Sequence, residues 1–216
     1  MAEQAASPAS LDGWLALLEQ RHGQRIELGL ERVAAVRARM QAESDAVVIT
    51  VGGTNGKGSC CAMLEGILLA SGYRVGCYTS PHLLRYNERV RIDGRDADDA
   101  ALVAGFAAVE AARGDTALTY FEHGTLAAWQ VFAAAGLDVI ILEVGLGGRL
   151  DAVNVFEPDC ALVTSVAMDH MDYLGDTREA IGFEKAGIFR AARPAVCGAP
   201  QPPATLVEHA AAIGAQ

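Results

Sequence analysis

Short apolar runs alternate along the chain with longer segments whose apolar residues recur at helical spacing. An uninterrupted apolar run predicts a strand that is buried on both faces, because a half-exposed strand would alternate apolar and polar residues. Such strands are typical of a parallel sheet that helices cover on both sides. The sequence therefore predicts an α/β fold with a mainly parallel sheet flanked by helices. The predicted strands are residues 46–51, 74–78, 138–144, 160–166 and 195–197.

The segments with helical spacing separate these strands and end at polar or glycine-containing turns. Gly72 is expected to end one helix, because glycine readily adopts the left-handed conformation found just after a helix. Residues 88–92 are expected to be extended and to be followed by a turn. The predicted helices are residues 11–19, 28–40, 59–71, 98–112, 122–135 and 177–189, with an alanine-rich helix within 200–216. We divide the chain into a helical segment, residues 1–45, that packs on the core, and an α/β domain, residues 46–216.

The charge balance of the chain is acidic. Its 216 residues contain 17 Lys and Arg against 27 Asp and Glu, a formal net charge of -10. Nonspecific nucleic-acid binding requires a basic surface, so no nucleic-acid partner is expected. No apolar run reaches the roughly 18 residues that span a bilayer, and residues 1–10 lack the basic and apolar segments of a signal peptide. We therefore expect a cytoplasmic protein without a membrane partner, and we take a monomer as the default.

The five cysteines lie in apolar stretches and show no CxxC spacing. A zinc site is not supported, because neither their spacing nor nearby histidines fit one. We interpret them as reduced core or near-core residues. They are Cys60, Cys61, Cys77, Cys160 and Cys197.

A glycine-rich loop between a predicted strand and a predicted helix carries the most informative chemistry. Glycines let backbone N–H groups approach phosphate oxygens, the helix N-terminus adds a favourable dipole, and Lys57 adds a positive charge. The hydroxyl of Ser59 is placed to meet a magnesium ion. The alternative is a strand-to-helix turn without a ligand, which the lysine and serine disfavour. The predicted nucleotide-binding residues are Gly53, Thr54, Asn55, Gly56, Lys57, Gly58 and Ser59.

The loop departs from the standard phosphate-binding pattern GxxxxGK[ST], because Gly58 separates Lys57 from Ser59. This departure disfavours a small-molecule kinase. The stretch TNGKGS at 54–59 resembles the ATP loop shared by the muramyl-peptide ligases and the folylpolyglutamate synthases. The resemblance implies an enzyme that makes an amide bond through an acyl phosphate.

Two polar residues stand at the ends of predicted strands, where open α/β sheets bind ligands. Glu143 is either a magnesium ligand or a core acid paired with Arg149, and the neighbouring nucleotide loop favours the ligand. Ser80 precedes Pro81, and by itself it is more simply interpreted as the start of a turn.

Further stretches resemble the dihydrofolate synthase/folylpolyglutamate synthase family, a branch of the Mur ligase superfamily. In order along the chain they are IELGLERV at 26–33, YTSPHL at 78–83, NER at 87–89, LEVGLGGRLDAVN at 142–154, SVAMDHMDYLG at 165–175 and EKAGIF at 184–189. Together with the loop they extend over most of the chain. The resemblance implies a P-loop-containing, Mur-ligase-like central domain. It also implies that the C-terminal ligase domain of the family is absent, so that this chain is an incomplete piece.

The resemblance implies the ligands ATP and Mg²⁺ and extends the candidate site. Ser80 and Glu143 become magnesium ligands, and His170 becomes a ligand to a second magnesium. Lys185 becomes a carbamylated lysine near that metal. From residue type alone, His170 would be a hydrogen-bonded structural residue and Lys185 a solvated surface lysine. The catalytic candidates are Lys57, His170 and Lys185.

Three residues are candidates for contacts to the pterin part of the substrate, with packing around a loop as the alternative. They are Phe121, Ala152 and Asn154. The implied reaction joins L-glutamate to dihydropteroate or to a folate, with both activities in one bacterial protein. Two other hypotheses stay open at this point: a muramyl-peptide ligase, and a nucleotide-binding regulatory domain without turnover.

Overall fold

The computed structural model describes residues 7–22 and 26–216. Residues 1–6 and 23–25 lie outside this description. The beginning of the predicted segment 1–45 and part of the polar connection between its two predicted helices fall there.

A seven-stranded sheet forms the centre of the fold, with the strand order β4-β3-β2-β5-β1-β6-β7. The five strands from β2 to β7 in that order run parallel, and β3 and β4 extend the sheet antiparallel beyond β2. This arrangement confirms the predicted mainly parallel sheet. The strands are β1 (Val47–Gly52), β2 (Val75–Tyr78), β3 (Val90–Ile92), β4 (Arg95–Asp96), β5 (Val139–Glu143), β6 (Cys160–Val163) and β7 (Ala195–Cys197).

Of the eight helices in the described residues, seven lie at predicted places, and a four-residue helix that begins at Met171 was not predicted. The eight helices are α1 (Leu11–His22), α2 (Glu31–Arg37), α3 (Lys57–Ala70), α4 (Asp99–Arg113), α5 (Tyr120–Ala135), α6 (Met171–Leu174), α7 (Arg178–Ala186) and α8 (Ala204–Ile213). Side chains cap three of them: Asp98 accepts from Ala101 N, Thr119 from Glu122 N and Thr177 from Ala180 N. These bonds satisfy N–H groups that a helix start leaves free.

Several predicted boundaries are wrong, and one of them is the end of the helix predicted over 177–189, which lies at Ala186. The helix predicted over 28–40 is shorter and spans Glu31–Arg37. Strand β6 ends at Val163, and the residues that follow it hold the phosphate loop. Residues 88 and 89 belong to a 3₁₀ turn, Tyr86–Arg89, and not to a strand. The carboxylate of Glu88 accepts hydrogen bonds from the N–H groups of residues 83–85, which closes the chain into that turn.

The two faces of the sheet bury alternate residues of each strand, as expected for a period of two. On β5, Ile140 and Leu142 belong to the apolar cluster formed with α1, α2, α4 and α5. Val139 and Ile141 belong to the opposite cluster, which includes Cys61 of α3. A third cluster joins β6 to α7 and α8.

The helices α1 and α2 pack on the same apolar cluster as α4 and α5. Trp14 of α1 stacks on Phe106 of α4 with ring centroids 6.0 Å apart, and Val33 of α2 is fully buried. The division of the chain at residue 45 stays a prediction. Throughout residues 7–22 and 26–216, no helix is long and apolar enough to cross a membrane. The five cysteines are free, and each is buried or partly buried.

Candidate active site

The loop after β1 leads directly into the first turn of α3. Gly56 is the last residue before the helix and has a φ of 83°, a left-handed conformation that glycine adopts without steric cost. The N–H groups in the first turn of a helix have no intrahelical acceptor. Together with the helix dipole they form a binding site for an anionic group such as phosphate. The predicted loop therefore has the backbone geometry that phosphate binding requires.

Residues that follow β6 hold the loop in place. Thr54 N donates to Ser165 O over 2.8 Å, and Asn55 N donates to Ser165 Oγ over 3.0 Å. The Thr54 hydroxyl donates to Ala167 O and accepts from Ala167 N, over 3.2 and 3.1 Å. Since the N–H groups of Thr54 and Asn55 are already paired, those of residues 56–59 are candidates to bind phosphate oxygens.

Gly53 lies where no side chain fits. Its φ is 139°, and a Cβ at this position would overlap the Thr164 hydroxyl and lie 3.0 Å from Thr164 N. The ammonium group of Lys57 turns back to the loop and donates to Gly53 O over 3.0 Å and to Thr54 O over 3.2 Å. The ammonium group is therefore held over the loop. A bound phosphate group would replace the two carbonyl oxygens as its hydrogen-bond acceptor.

Glu143 ends β5 next to this loop. It pairs in register with Val51 of β1, and only 4% of its surface is exposed. Its Oε2 accepts the backbone N–H of Ser80 over 2.9 Å. A Cβ on Gly58 would lie 3.7 Å from its Oε1, so that carboxylate oxygen faces the start of α3. Burial raises the pKa of Glu143, although the Ser80 N–H and the charges of Lys57 and Arg91 oppose this shift.

The alternative that Glu143 pairs with Arg149 is wrong, because Arg149 instead pairs with Glu184 over 2.8 Å. Within the described part of the chain, no three His, Cys, Asp or Glu side chains converge on one possible metal position. Mg²⁺ needs no such cage, since it keeps several waters and binds through one or two carboxylates and substrate phosphates. The buried carboxylate of Glu143 accepts the Ser80 N–H at one oxygen and faces the phosphate loop with the other, which fits this mode of binding.

Lys185 is buried near the same loop. It is 3% exposed, so the alternative of a solvated surface lysine is wrong. Burial, with the charge of Lys57, lowers its pKa to about 8, while Asp169 and Asp151 oppose the shift. Lys57 and Lys185 are the two lysines of the whole sequence, which has 15 arginines. The charge of one acts on the other, so the two lysines are close to each other.

A cavity of about 540 Å³ lies beside Glu143 and reaches the segment in front of α2. Ser80 belongs to its wall, so the cavity and the phosphate loop adjoin. Phe121 and Ala152, two of the predicted substrate contacts, line it. The other lining residues are Glu19, Ile26, Glu27, Leu28, Gly29, Pro81, His82, Arg89, Thr119, Tyr120, Glu122, Gly145, Leu146, Leu150 and Asp151.

The combination of this loop, the strand-end carboxylate and the sheet matches a known family. The family model of the Mur ligase middle domain matches residues 51–209. The chain belongs to the Mur ligase family. The dihydrofolate synthase/folylpolyglutamate synthase of Escherichia coli K12 is 56% identical to it over 213 residues, which cover 98% of this chain and 50% of that protein. The folylpolyglutamate synthase of Lacticaseibacillus casei is 42% identical over 172 residues, covering 76% and 39%.

Solved structures of similar proteins have the same fold. E. coli FolC in complex with DHPP and ADP has a TM-score of 0.94 and 54% identity, and the match covers 98% of this chain and 51% of FolC. The Yersinia pestis bifunctional folylpolyglutamate synthase/dihydrofolate synthase, complexed with AMPPNP and a Mn ion, has a TM-score of 0.92 and 55% identity, covering 99% and 52%. This chain spans about half the length of the relatives that it matches.

In this Mur ligase domain, His170 lies outside the cavity wall. It precedes α6 with a φ of 47°, a left-handed conformation, and its side chain is 51% exposed with Nε2 3.7 Å from Asp169 Oδ2. The predicted metal contact of His170 stays a prediction.

Asn154 is also absent from the cavity wall. It lies in the 3₁₀ turn Ala152–Val155 and is 6% exposed. Its side-chain amide donates to Arg149 O and Gly187 O over 3.0 and 3.1 Å. The structure thus gives Asn154 backbone partners, and its contact with substrate stays a prediction.

Sequence analysis missed Arg89 as a candidate for the site. Its Nε donates to His82 Nδ1 over 2.8 Å, and its guanidinium lies 5.4 Å from the ring centroid of Tyr86 and 5.9 Å from that of Tyr120. Burial and the Arg89 charge lower the pKa of His82, which favours the neutral ring that accepts this bond. Among the described ion pairs none involves Arg89, so its charge is available to an anionic ligand in the cavity. The NER stretch at 87–89 was the signal, but its spacing did not show where the arginine points.

Asp151 was missed as well. Its carboxylate accepts Leu146 N over 2.8 Å and Val153 N over 2.9 Å, and burial raises its pKa to about 6. Asp151 therefore fixes the loop that forms one wall of the cavity. A carboxylate that follows a glycine-rich loop and precedes a turn was the available signal.

Proposed function

We propose that this chain provides the ATP- and acceptor-binding parts of a ligase that joins L-glutamate to dihydropteroate and to tetrahydrofolates. The observation that carries the proposal is the shared edge of cavity and phosphate loop. Ser80 lines the cavity, its N–H holds Glu143, and Glu143 faces Gly58 of the loop. An acceptor in the cavity would therefore have one end beside the terminal phosphate of a bound nucleotide. The names of the E. coli and L. casei relatives support this assignment.

The reaction consists of two transfers. The acceptor carboxylate takes up the terminal phosphoryl group of ATP and becomes an acyl phosphate, and the glutamate amine then displaces phosphate from its carbonyl. No covalent protein intermediate is needed, so the protein acts by positioning and by neutralising charge. Lys57 and the N–H groups of residues 56–59 would hold the phosphates. A bound Mg²⁺ would neutralise phosphate charge, and Ser80 and Glu143 are the residues that would hold it.

The cavity wall suits an aromatic acceptor with an anionic end. The Phe121 ring offers a flat apolar surface for a pterin, and Asp151 and Ala152 border the same space. Arg89 carries a positive charge into the cavity without a carboxylate partner among the described residues. We assign it the role of orienting the acceptor through its negatively charged end.

Lys185 is proposed to act as a carbamate together with His170. A buried amine with a pKa of about 8 is partly neutral near physiological pH, and the neutral form is the one that adds carbon dioxide. Carbamylation would turn this cation into an oxygen donor, which is the ligand type that Mg²⁺ prefers. His170 and the carbamate would then hold a second ion.

The first test is ATP-dependent ligation of labelled glutamate to dihydropteroate and, separately, to tetrahydrofolate. It is run on this chain and on an extended chain, defined as residues 1–216 followed by the second half of the E. coli relative. Ligation that Lys57→Ala abolishes supports the proposal and shows which acceptors are used. No ligation to either acceptor by a folded, ATP-binding extended chain contradicts it and favours a muramyl-peptide ligase.

The association state and location of the protein complete the proposal. We expect a monomer that works in the cytoplasm with small-molecule partners only. Light scattering during gel filtration, with and without ATP, tests the monomer, and cell fractionation tests the location. A stable dimer would contradict the first expectation.

A further inference from the structure

The side chain of Asn154 uses both of its donors and one acceptor position inside the protein. Both N–H groups of the amide are donated, to Arg149 O and to Gly187 O, and Oδ1 accepts from Arg190 Nη2 over 2.9 Å. This network also fixes the orientation of the amide, because the flipped form would set its oxygen against two carbonyls and its NH₂ against a guanidinium. An amide satisfied in this way has no free donor for a substrate.

The two carbonyls that Asn154 joins belong to the two halves of the site. Arg149 lies in the loop that runs from Glu143 to the cavity wall, and Gly187 follows Lys185 by two residues at the end of α7. Arg190 strengthens the same junction, since it also donates to Gly187 O over 3.2 Å and to Asn154 O over 3.3 Å. The asparagine therefore connects the acceptor side of the site with the helix end that carries Lys185.

The two backbones are in direct contact on the other side of this junction. Arg149 N donates to Glu184 O over 2.8 Å. A Cβ on Gly148 would lie 2.8 Å from Glu184 O and 3.1 Å from Lys185 Cα, and a Cβ on Gly187 would lie 2.7 Å from Arg149 Cα. With no side chain between them, a shift of one backbone moves the other.

We propose that Asn154 is a positioning residue that holds Lys185 in the active site by clamping the end of α7 to the loop of residues 145–151, and that it does not contact the substrate. The inference rests on the proposed function for the role of Lys185 in the reaction. The clamp itself rests on the hydrogen bonds of Asn154 and on the glycine contacts beside them.

The test compares Asn154→Asp with the wild-type chain. Aspartate keeps the size of the side chain and its contact with Arg190, but it donates neither hydrogen bond and sets a carboxylate against two carbonyls. The first readout is acylation of Lys185 by an amine-specific reagent, located by mass spectrometry. Since Lys57 is the other lysine of the sequence, the Lys185-containing peptide reports on this site alone.

Asn87→Asp is the matched control. Asn87 is equally buried in the other 3₁₀ turn, and its amide also donates two hydrogen bonds, to Ala97 O over 2.9 Å and to Asp99 Oδ1 over 2.8 Å. The same substitution there destabilises the protein without touching α7. We expect Lys185 to be acylated about tenfold faster in Asn154→Asp, because two buried hydrogen bonds that limit local opening are lost. In Asn87→Asp the rate should stay at the wild-type value.

Dihydropteroate affinity is the second readout. In Asn154→Asp it should stay within about twofold of the wild-type value, a smaller change than the loss of a contact would give. In the extended chain, kcat should fall about tenfold while the KM for the acceptor is unchanged, as for an interaction that matters in the transition state. Weaker acceptor binding with unchanged acylation would overturn the clamp and make Asn154 a substrate contact. Equal acylation in both variants, or none above wild type, would also overturn it.

These outcomes separate the clamp from the proposed function. A wild-type extended chain that binds no dihydropteroate and ligates no glutamate contradicts the proposed function. The acylation comparison still decides the clamp in that case, because it needs no substrate.

Discussion

The backbone N–H of Ser80 donates a 2.9 Å hydrogen bond to Oε2 of Glu143. Ser80 lies just after β2, Glu143 is the last residue of β5, and these two strands are adjacent and parallel. The bond fixes one carboxylate oxygen and leaves the other facing Gly58 at the start of α3. Burial disfavours the ionised form of this carboxylate. The hydrogen bond nevertheless holds it in a position where a ligand can bind.

Glu143→Gln should stabilise the chain and weaken its response to magnesium. Burial raises the pKa of Glu143, so the ionised form costs folding free energy at pH values above that pKa. Glutamine carries no charge and still accepts the Ser80 N–H, so the free energy of unfolding at pH 8 should rise. The gain in nucleotide affinity on adding Mg²⁺ should fall by roughly tenfold or more. Urea denaturation and calorimetric titration measure both effects, and a less stable variant with a normal magnesium response contradicts the assignment.

Two alanine substitutions in the phosphate loop should differ in their effect on stability. In Gly53→Ala the new methyl overlaps Thr164, whereas in Gly56→Ala it meets nothing within 4 Å and the cost is that of the positive φ. We expect losses of about 3 kcal/mol or more for Gly53→Ala and about 1 kcal/mol for Gly56→Ala. Urea denaturation measures both losses. Equal losses would show that the overlap with Thr164 does not add to the destabilisation of Gly53→Ala.

The chain should lose stability as the pH falls, through His123. Burial lowers the pKa of His123 to about 4, below the value of about 6.5 expected in the unfolded chain. Between these two pH values the unfolded state binds a proton that the folded state does not bind. The free energy of unfolding therefore decreases as the pH is lowered. The loss approaches about 3 kcal/mol near pH 4.

The comparison for this effect is His123→Gln, which keeps a donor for the carbonyl of Phe106. Its free energy of unfolding should fall less between pH 7 and pH 5 than that of the wild type. Parallel pH profiles for the two proteins would contradict the assignment to His123.

Phe121→Ala should weaken the binding of dihydropteroate. The ring lies on the cavity wall against Gly145, where an added Cβ would be 2.6 Å from Phe121 Cζ. Loss of a flat apolar surface should reduce affinity by about tenfold. Tyr73→Ala, which removes a half-exposed aromatic residue outside the cavity, is the control. Calorimetric titration of both variants measures the effect, and equal affinities would remove Phe121 from the proposed pterin site.

Lys185 should take up carbon dioxide. With a pKa of about 8 the buried amine is largely neutral at pH 8.5, the form that reacts. Nuclear magnetic resonance of the chain in ¹³C-bicarbonate should show a carbamate signal. The Lys185 signal should persist in Lys57→Arg and disappear in Lys185→Arg, whereas any carbamate of the N-terminal amine stays in both variants. The opposite pattern would assign the carbamate to the phosphate loop.

Local sequence was sufficient to predict the five parallel strands and the glycine-rich loop. The run at 46–51 has no polar alternation, because residues on both of its faces are largely buried and Val47 is the exposed exception. The loop residues 53–59 are contiguous, so their order along the chain was enough to predict the loop. Strand and helix ends were less predictable. The strand predicted to reach residue 166 stops at Val163, and the side chains of Thr164 and Ser165 bond to Asn55 in the loop.

Roles that depend on distant partners were decided only by the tertiary structure. The sequence placed Lys185 on a helix, but its burial follows from how α7 packs against the loop after β5. In the same way, Asn154 meets Gly187, which is 33 positions away, and Arg89 turns into a cavity whose other walls come from α5 and the segment before α2. Residue type and spacing fix the chemistry that a side chain can perform. Which partners it meets, and how strongly burial shifts its pKa, depend on the packing of segments that are far apart in the sequence.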